Sequence, residues 1–196
     1  MIKLIDIPRP SKKEVDRYLK KWDSLENYVL QEDSLNKLFF KTYPKNDDIN
    51  DILIKASSLN DFYSTNIFSI FPVAKHILKL DIDARLEKGD TTLVNDIAKL
   101  KINGVDKNFY SFATKYCSHH FPEVFPIYDS FVEKCLMYFY KKDKFCNFKK
   151  EDLKDYTKFK NILVCFKRYY GIDDYNLKDI DRYLWQLGKD YFPKKY

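Results

Sequence analysis

The sequence predicts an all-α fold, and three observations carry that reading. The 196 residues include only 4 glycines and 7 prolines, too few for a turn-rich all-β chain. Apolar residues recur at i, i+3, i+4, i+7 in one segment after another, the period of a helix with one buried face. Helix-start signals precede these segments, the clearest being Ser11 with Glu14, an S-x-x-E capping box. Hydrophobic residues make up 45% of the chain, enough to give a single domain over 1–196 a proper core.

In chain order, residues 1–10 read as an extended arm. Ile2, Leu4, Ile5 and Ile7 can pack, and Pro8 and Pro10 stop a helix. The Ser11 box opens a helix whose Val15, Tyr18, Leu19 and Trp22 share one face. Short helices over 24–31 and 33–42 end at Tyr43-Pro44. Asn46-Asp47-Asp48 gives a turn and cap for a helix over 49–62, with Ile52, Leu53 and Leu59 turned inward. Ile67 to Leu80 is strongly apolar but interrupted by Pro72, which leaves a helix over 73–79. The next helix, 91–100, is capped by Asp90 or Thr91 and carries Leu93, Ile97 and Leu100 on one face.

A turn, Ile102-Asn103-Gly104-Val105, follows. A second helix is expected from near Lys107 to about His120. Phe121-Pro122 to Phe125-Pro126 then connects to Asp129, at the mouth of a third helix with Val132, Cys135, Leu136 and Phe139 on its apolar face. Residues 141–150, KKDKFCNFKK, form a basic loop with two phenylalanines. Such a loop either tracks a sugar–phosphate backbone or is simply solvated around two anchors. A long helix over 151–170 ends at Gly171. A last one over 176–188 buries Ile180, Tyr183, Leu184 and Leu187 and closes at Gly188. Trp185 lies off that face, where it either walls a cleft or packs.

The net charge of +6 and isoelectric point near 8.9 suit a polyanionic partner, though solubility alone also accounts for them. Cys117, Cys135, Cys146 and Cys165 match no zinc spacing and are expected as reduced core thiols in a cytoplasm. The N-terminal MIKLIDIPRPSKKE has no signal-peptide apolar run, and no stretch approaches the roughly 18 apolar residues of a membrane span. Cys117, His119, His120 and Asp129 hold metal-ligating groups. Adjacent helical histidines point about 100° apart, however, so no metal centre is expected. A hydrolase with Cys117 as nucleophile would need a histidine brought to that thiol.

Gly104 has no Cβ, so it can take a positive φ and let another backbone come close. If Val105, Asp106 and Lys107 open a helix, their N–H groups have no intrahelical partners and suit a phosphate, with Lys101 and Lys107 adding charge. An ordinary turn with a glycine C-cap is the other reading.

The stretch from Leu100 to Val132 resembles the helix-hairpin-helix motif of the endonuclease III and 3-methyladenine DNA glycosylase superfamily. Ile102-Asn103-Gly104-Val105-Asp106-Lys107-Asn108 matches its hairpin, and Ile127-Tyr128-Asp129-Ser130-Phe131-Val132 its catalytic segment. Asp106 stands where the family has a second glycine, and the link to Asp129 is a few residues longer. The resemblance implies a two-lobed helical bundle with a cleft between lobes, one lobe over about 45–128 with the hairpin in 91–120, the other from 1–44 and 129–196. It implies a DNA glycosylase that flips out a damaged or modified base, in base-excision repair or in defence against modified phage DNA.

The site residues follow from that resemblance and from residue chemistry. Asp129 would stabilise an oxocarbenium-like sugar and orient water, from a helix start where the dipole favours a negative charge and where Asp is also a plain N-cap. Asn108 falls where bifunctional members carry a Schiff-base lysine, which implies a monofunctional, water-using enzyme. Lys107 and Lys115 are the amines able to overturn this, unless both are solvated surface lysines. Asn60, Tyr63, Asn66, Tyr128 and Trp185 are further pocket candidates, to stack on a base or read its edge. Lys101, Asn103, Gly104, Val105 and Lys107 would grip the DNA backbone. The expected partner is double-stranded DNA, bound by a monomer. No cofactor is expected beyond a monovalent cation that the superfamily's hairpin carbonyls can hold. The alternative is a non-catalytic helix-hairpin-helix module for DNA binding or interaction.

Overall fold

The computed structural model describes residues 6–193, so the expected packing of Ile2, Leu4 and Ile5 lies outside the described residues. Ile7 is fully buried. The described chain is mostly helical: α1 (Lys12–Asp23), α2 (Glu26–Asn36), α3 (Ile49–Phe62), α4 (Ile70–Leu80), α5 (Asp83–Glu87), α6 (Thr92–Ala98), α7 (Tyr110–His120), α8 (Ser130–Asp143), α9 (Tyr156–Tyr170) and α10 (Leu177–Tyr191). A 3₁₀ turn over Lys150–Lys154 precedes α9. Among the described residues there is one sheet, a two-stranded hairpin of β1 (Lys99–Ile102) and β2 (Val105–Asn108). No helix of the described residues is long and apolar enough to cross a membrane.

The caps sit where the side chains dictate. Ser11 accepts from the Glu14 N–H, Asp48 from those of Asn50 and Asp51, Asp129 from Phe131 and Val132, and Asn176 from Asp179. Gly171 ends α9 at φ 64°. The expected pair of helices over 24–42 is one helix that loosens into a π turn over Lys37–Thr42 before Pro44. Pro72 does not interrupt α4. It occupies the first turn, where its missing N–H has no intrahelical partner to lose.

The largest correction falls at residues 99–109. No helix opens at Lys107, and the preceding helix ends at Ala98 rather than at 100. The segment folds as an antiparallel β-hairpin in which Ile102 faces Val105 and Lys101 faces Asp106. Asn103 (φ 49°) and Gly104 (φ 78°) are both left-handed, the mirror-image turn that the strand twist requires and that Asn-Gly favours. Residues 105–107 are therefore extended, and their N–H groups do not line up at a helix N-terminus.

Gly188 also departs from its expected role. It lies inside α10, and a Cβ there would sit 2.6 Å from the Cβ of Phe131 and 2.9 Å from its carbonyl oxygen. The glycine lets α10 and the first turn of α8 touch backbone to side chain. On its other side α10 packs on α1. A second set of contacts joins α3 to α4 and α7, and α6 to α7. The turn before α3 is pinned by a buried lysine. Lys55 Nζ donates to the Lys45 carbonyl (2.6 Å) and to Asn46 Oδ1 (2.7 Å), and Asn46 Nδ2 donates to Asp83 Oδ1 (2.6 Å). Burial lowers the Lys55 amine to about 8.

Candidate active site

A cleft of about 650 Å³ opens between the α3–α7 side and the helices α1, α2, α8 and α10. It brings together five of the sequence-derived candidates: Asp129, Lys115, Tyr63, Tyr128 and Trp185.

Asp129 is the N-cap of α8. Its Oδ1 accepts from the N–H of Phe131 (2.8 Å) and Val132 (2.9 Å), and among the described residues Oδ2 takes no hydrogen bond. The loop that delivers it is fixed from two sides. Tyr156 donates its hydroxyl to the Pro126 carbonyl (2.8 Å), and Phe125 stacks on the Tyr156 ring. On the other side, Ser111, Thr114 and Lys115 share one face of α7 and hold the Tyr128 peptide. The Tyr128 N–H donates to Thr114 Oγ1 (3.2 Å), and the Tyr128 carbonyl accepts from Ser111 Oγ (3.2 Å) and Lys115 Nζ (3.5 Å).

Lys115 is buried, not a solvated surface lysine. Its ammonium donates to Ser111 Oγ at 2.6 Å and lies 5.2 Å over the Tyr63 ring. Burial holds this amine below the ordinary lysine range, against the opposing pull of Asp129 and Asp181. Behind it the Tyr63 hydroxyl meets His119 Nε2 at 3.0 Å. Burial keeps His119 and His120 neutral, the latter lowered to about 3, and His120 Nε2 accepts from Asn46 Nδ2 at 3.2 Å. The two histidines diverge, His119 to Tyr63 and His120 to Asn46. Cys117 is buried and its thiol is pushed above the ordinary range by that burial. The arrangement suits neither a shared metal ion nor a cysteine nucleophile.

Around Trp185 and Tyr128, the rest of the cleft is lined by residues that the sequence does not mark as pocket candidates. Trp22, Tyr28 and Trp185 form an edge-on aromatic wall, with Trp185 4.9 Å from Tyr28 and 5.8 Å from Trp22 between ring centroids. Lys189 lies 4.4 Å over the Trp185 ring. Glu32 is buried between Lys178 and Arg182, each at 2.7 Å. Burial would raise its carboxyl, but the two cations outweigh that and hold it below the usual range. Asp181 is buried on the cleft with no hydrogen-bond partner on Oδ1 among the described residues. Burial raises its carboxyl to about 7, with the Asp129 charge adding and Lys178 opposing. At the rim, Tyr128 donates its hydroxyl to Glu133, and Lys154 lies 4.1 Å over the Tyr128 ring. One signal was available for much of this set. Lys178, Asp181, Arg182, Trp185 and Lys189 recur at helical spacing and form a polar stripe beside the apolar face of α10.

The remaining candidates are elsewhere. Asn60 is a staple rather than a pocket residue. Its side chain accepts from Thr65 Oγ1 (2.6 Å) and the Ile67 N–H (3.0 Å) and donates to the Ile67 carbonyl (3.2 Å). Asn66 is a left-handed residue of the loop it closes, at φ 58°. Asn108 ends β2, exposed and off the cleft, so it stands at no nucleophile position. Lys101, Asn103, Gly104, Val105 and Lys107 lie on the exposed hairpin, where strand pairing replaces the expected phosphate-binding helix N-terminus. The same ladder occupies backbone carbonyls expected to hold a monovalent cation.

The model of the N-terminal-domain family HI_0787_N matches residues 14–124, a span that includes Tyr63 and Lys115 and stops short of Asp129. An uncharacterised protein of Haemophilus influenzae is 54% identical over 147 residues, covering 74% of this chain and 70% of that relative. No solved structure matches the chain.

Proposed function

This chain belongs to the HI_0787_N family, and from the cleft of this member we propose a DNA glycosylase that hydrolyses the N-glycosidic bond of a base flipped out of double-stranded DNA. The observation that carries the reading is that Asp129 and Lys115 face one aromatic-walled cleft of nucleotide size. Leaving of a base develops positive charge on the sugar, and a carboxylate held at a helix start meets that charge without having to reorganise. Trp22, Tyr28, Tyr63 and Trp185 offer faces and edges to a planar base. Asp181 is a buried carboxyl with an unmatched oxygen, the kind of group that tells one base edge from another. The finer fold reading, a two-lobed bundle of the glycosylase type with this cleft between lobes, is part of the same proposal. So are cytoplasmic location and action as a monomer. A damaged target base places the enzyme in base-excision repair, and a modified phage base in defence.

Asn108, the residue that implies a water-using enzyme, lies away from the cleft. Lys115 favours a second course at the same site. Its neutral amine attacks C1′, and the base leaves with the bond pair and takes up a proton. The C1′–O4′ bond of the aminal then opens as the nitrogen gives up its proton and O4′ takes one up, and the resulting imine allows strand scission by elimination of the 3′ phosphate. Both courses begin with base release. Duplexes carrying uracil, oxidised, alkylated or hypermodified bases, treated with hot alkali after incubation, are expected to reveal abasic sites that vanish in Asp129→Asn. Binding without release from any of them, unchanged by that substitution, would make the chain a non-catalytic module.

A further inference from the structure

The loop from α3 to α4 carries a phenylalanine that touches nothing. Phe68 is 101% exposed, while its neighbour Ile67 is 4% exposed and anchored in the core. The loop is not loose. The three hydrogen bonds of Asn60 tie Thr65 and Ile67 to the end of α3, so the backbone leading into Phe68 is held. Ser64 and Thr65 of the same loop line the cleft. An isolated ring held in water beside a cleft costs solvation and returns no packing to the fold.

The surface that continues from it is basic. Phe71, Lys75 and Lys79 follow at i, i+4, i+8 on one face of α4, and Lys75 Nζ lies 5.5 Å over the half-exposed Phe71 ring. Lys75 and Lys79 make no ion pair among the described residues. With Lys101 of β1 they border a shallow groove between α4 and the hairpin. Among the described residues Lys101 is offset only by Asp106, at 3.8 Å and largely in solvent. Spaced cations track a phosphate backbone, and an aromatic ring ahead of them can enter a base stack.

We propose that this face is a duplex-DNA surface in which Phe68 inserts into the stack beside an extruded nucleotide while Lys75, Lys79 and Lys101 follow the adjoining phosphates. The proposal rests on the glycosylase reading for its partner, and it assigns the grip on DNA to α4 and the outer hairpin rather than to a helix N-terminus.

The binding measurements need no target base. Binding is measured to a duplex with a tetrahydrofuran abasic site and to the same duplex intact. Wild-type protein is expected to prefer the abasic duplex on the order of tenfold, within what one base–aromatic stack contributes. Phe68→Ala should lose that preference with intact-duplex affinity nearly unchanged, and Phe68→Trp should keep it. The Lys75→Ala, Lys79→Ala double variant should weaken both duplexes alike and flatten the plot of log affinity against log salt by about 2. Both positions are exposed, so melting temperatures should stay at the wild-type value. A preference that survives Phe68→Ala, while Asp129-dependent base release persists, overturns this proposal and leaves the enzyme reading standing. Absence of salt-sensitive binding to either duplex overturns both. A changed sedimentation coefficient in Phe68→Ala, with duplex affinity intact, assigns the face to a protein contact and overturns the DNA surface.

Discussion

The Lys115 ammonium lies 3.5 Å from the backbone carbonyl of Tyr128, so this buried amine of the cleft is tied to the peptide that presents Asp129. Ser111 completes the link, donating to that carbonyl at 3.2 Å and accepting from Lys115 at 2.6 Å. The amine and carboxylate are thus placed by one short network, not by two independent loops. Such coupling fixes relative geometry, which matters more to a reacting pair than the strength of any single bond.

If Lys115 is the attacking amine, incubation of active protein with a cleavable duplex and borohydride should give a covalent protein–DNA adduct. Lys115→Ala should abolish it. Lys107→Ala should not, because Lys107 is exposed on β2 and off the cleft. Because burial holds the Lys115 amine below the ordinary lysine range, trapping should persist at a pH where solvent lysines are almost wholly protonated. Ser111→Ala should leave an adduct that forms more slowly. Base release without an adduct in wild-type protein would return the chemistry to water activated by Asp129.

Gly188→Ala should destabilise the fold by about 1–3 kcal/mol, the range of an overpacked interface. The added methyl meets Phe131 at its Cβ, carbonyl oxygen and Cα within 3.0 Å, and backbone atoms cannot swing aside. Phe131 is two residues from Asp129 and supplies one of its capping N–H groups. The substitution should therefore slow base release beyond what its melting temperature explains. Thermal unfolding and single-turnover rates on the same preparation check both parts.

The helix starts were legible because a capping side chain is a local rule. Ser11, Asp48, Asp129 and Asn176 each announce a helix in the residues beside them. Asp129 reached the cleft for that reason. The hairpin shows the opposite case. Asn103-Gly104 between Lys-Leu-Lys-Ile and Val-Asp-Lys-Asn is a two-residue hairpin signal, yet one flank reads equally well as the end of a helix. Gly188 could not be placed from sequence, because its use depends on Phe131, 57 positions away, coming within contact of α10. Asp181 and the Glu32 cluster were hidden differently. Their side chains look like an ordinary solvated stripe until α2 closes over it.

Asp181→Asn should change how stability depends on pH, and in a definite direction. The folded carboxyl is raised to about 7 by burial, against 3.8 for the ordinary side chain. A raised acid stabilises the fold fully below the unfolded value, and that contribution is lost as pH climbs through about 4 to about 7. Each pH unit crossed in that window costs roughly 1.4 kcal/mol as an upper bound. Asparagine keeps the shape and has no proton to lose. The variant should gain on wild type steadily between pH 4 and 7 and hold a constant lead above it. His119 and His120 pull the other way, since both stay neutral in the fold and favour it as pH rises past the unfolded histidine value. Wild-type stability alone therefore mixes the two effects, while the difference between variant and wild type isolates Asp181. Denaturant melts at matched pH values would show it. A difference that stays flat from pH 4 to 8 would mean that Asp181 carries its charge in the cleft throughout, and would remove it as a neutral reader of a base edge.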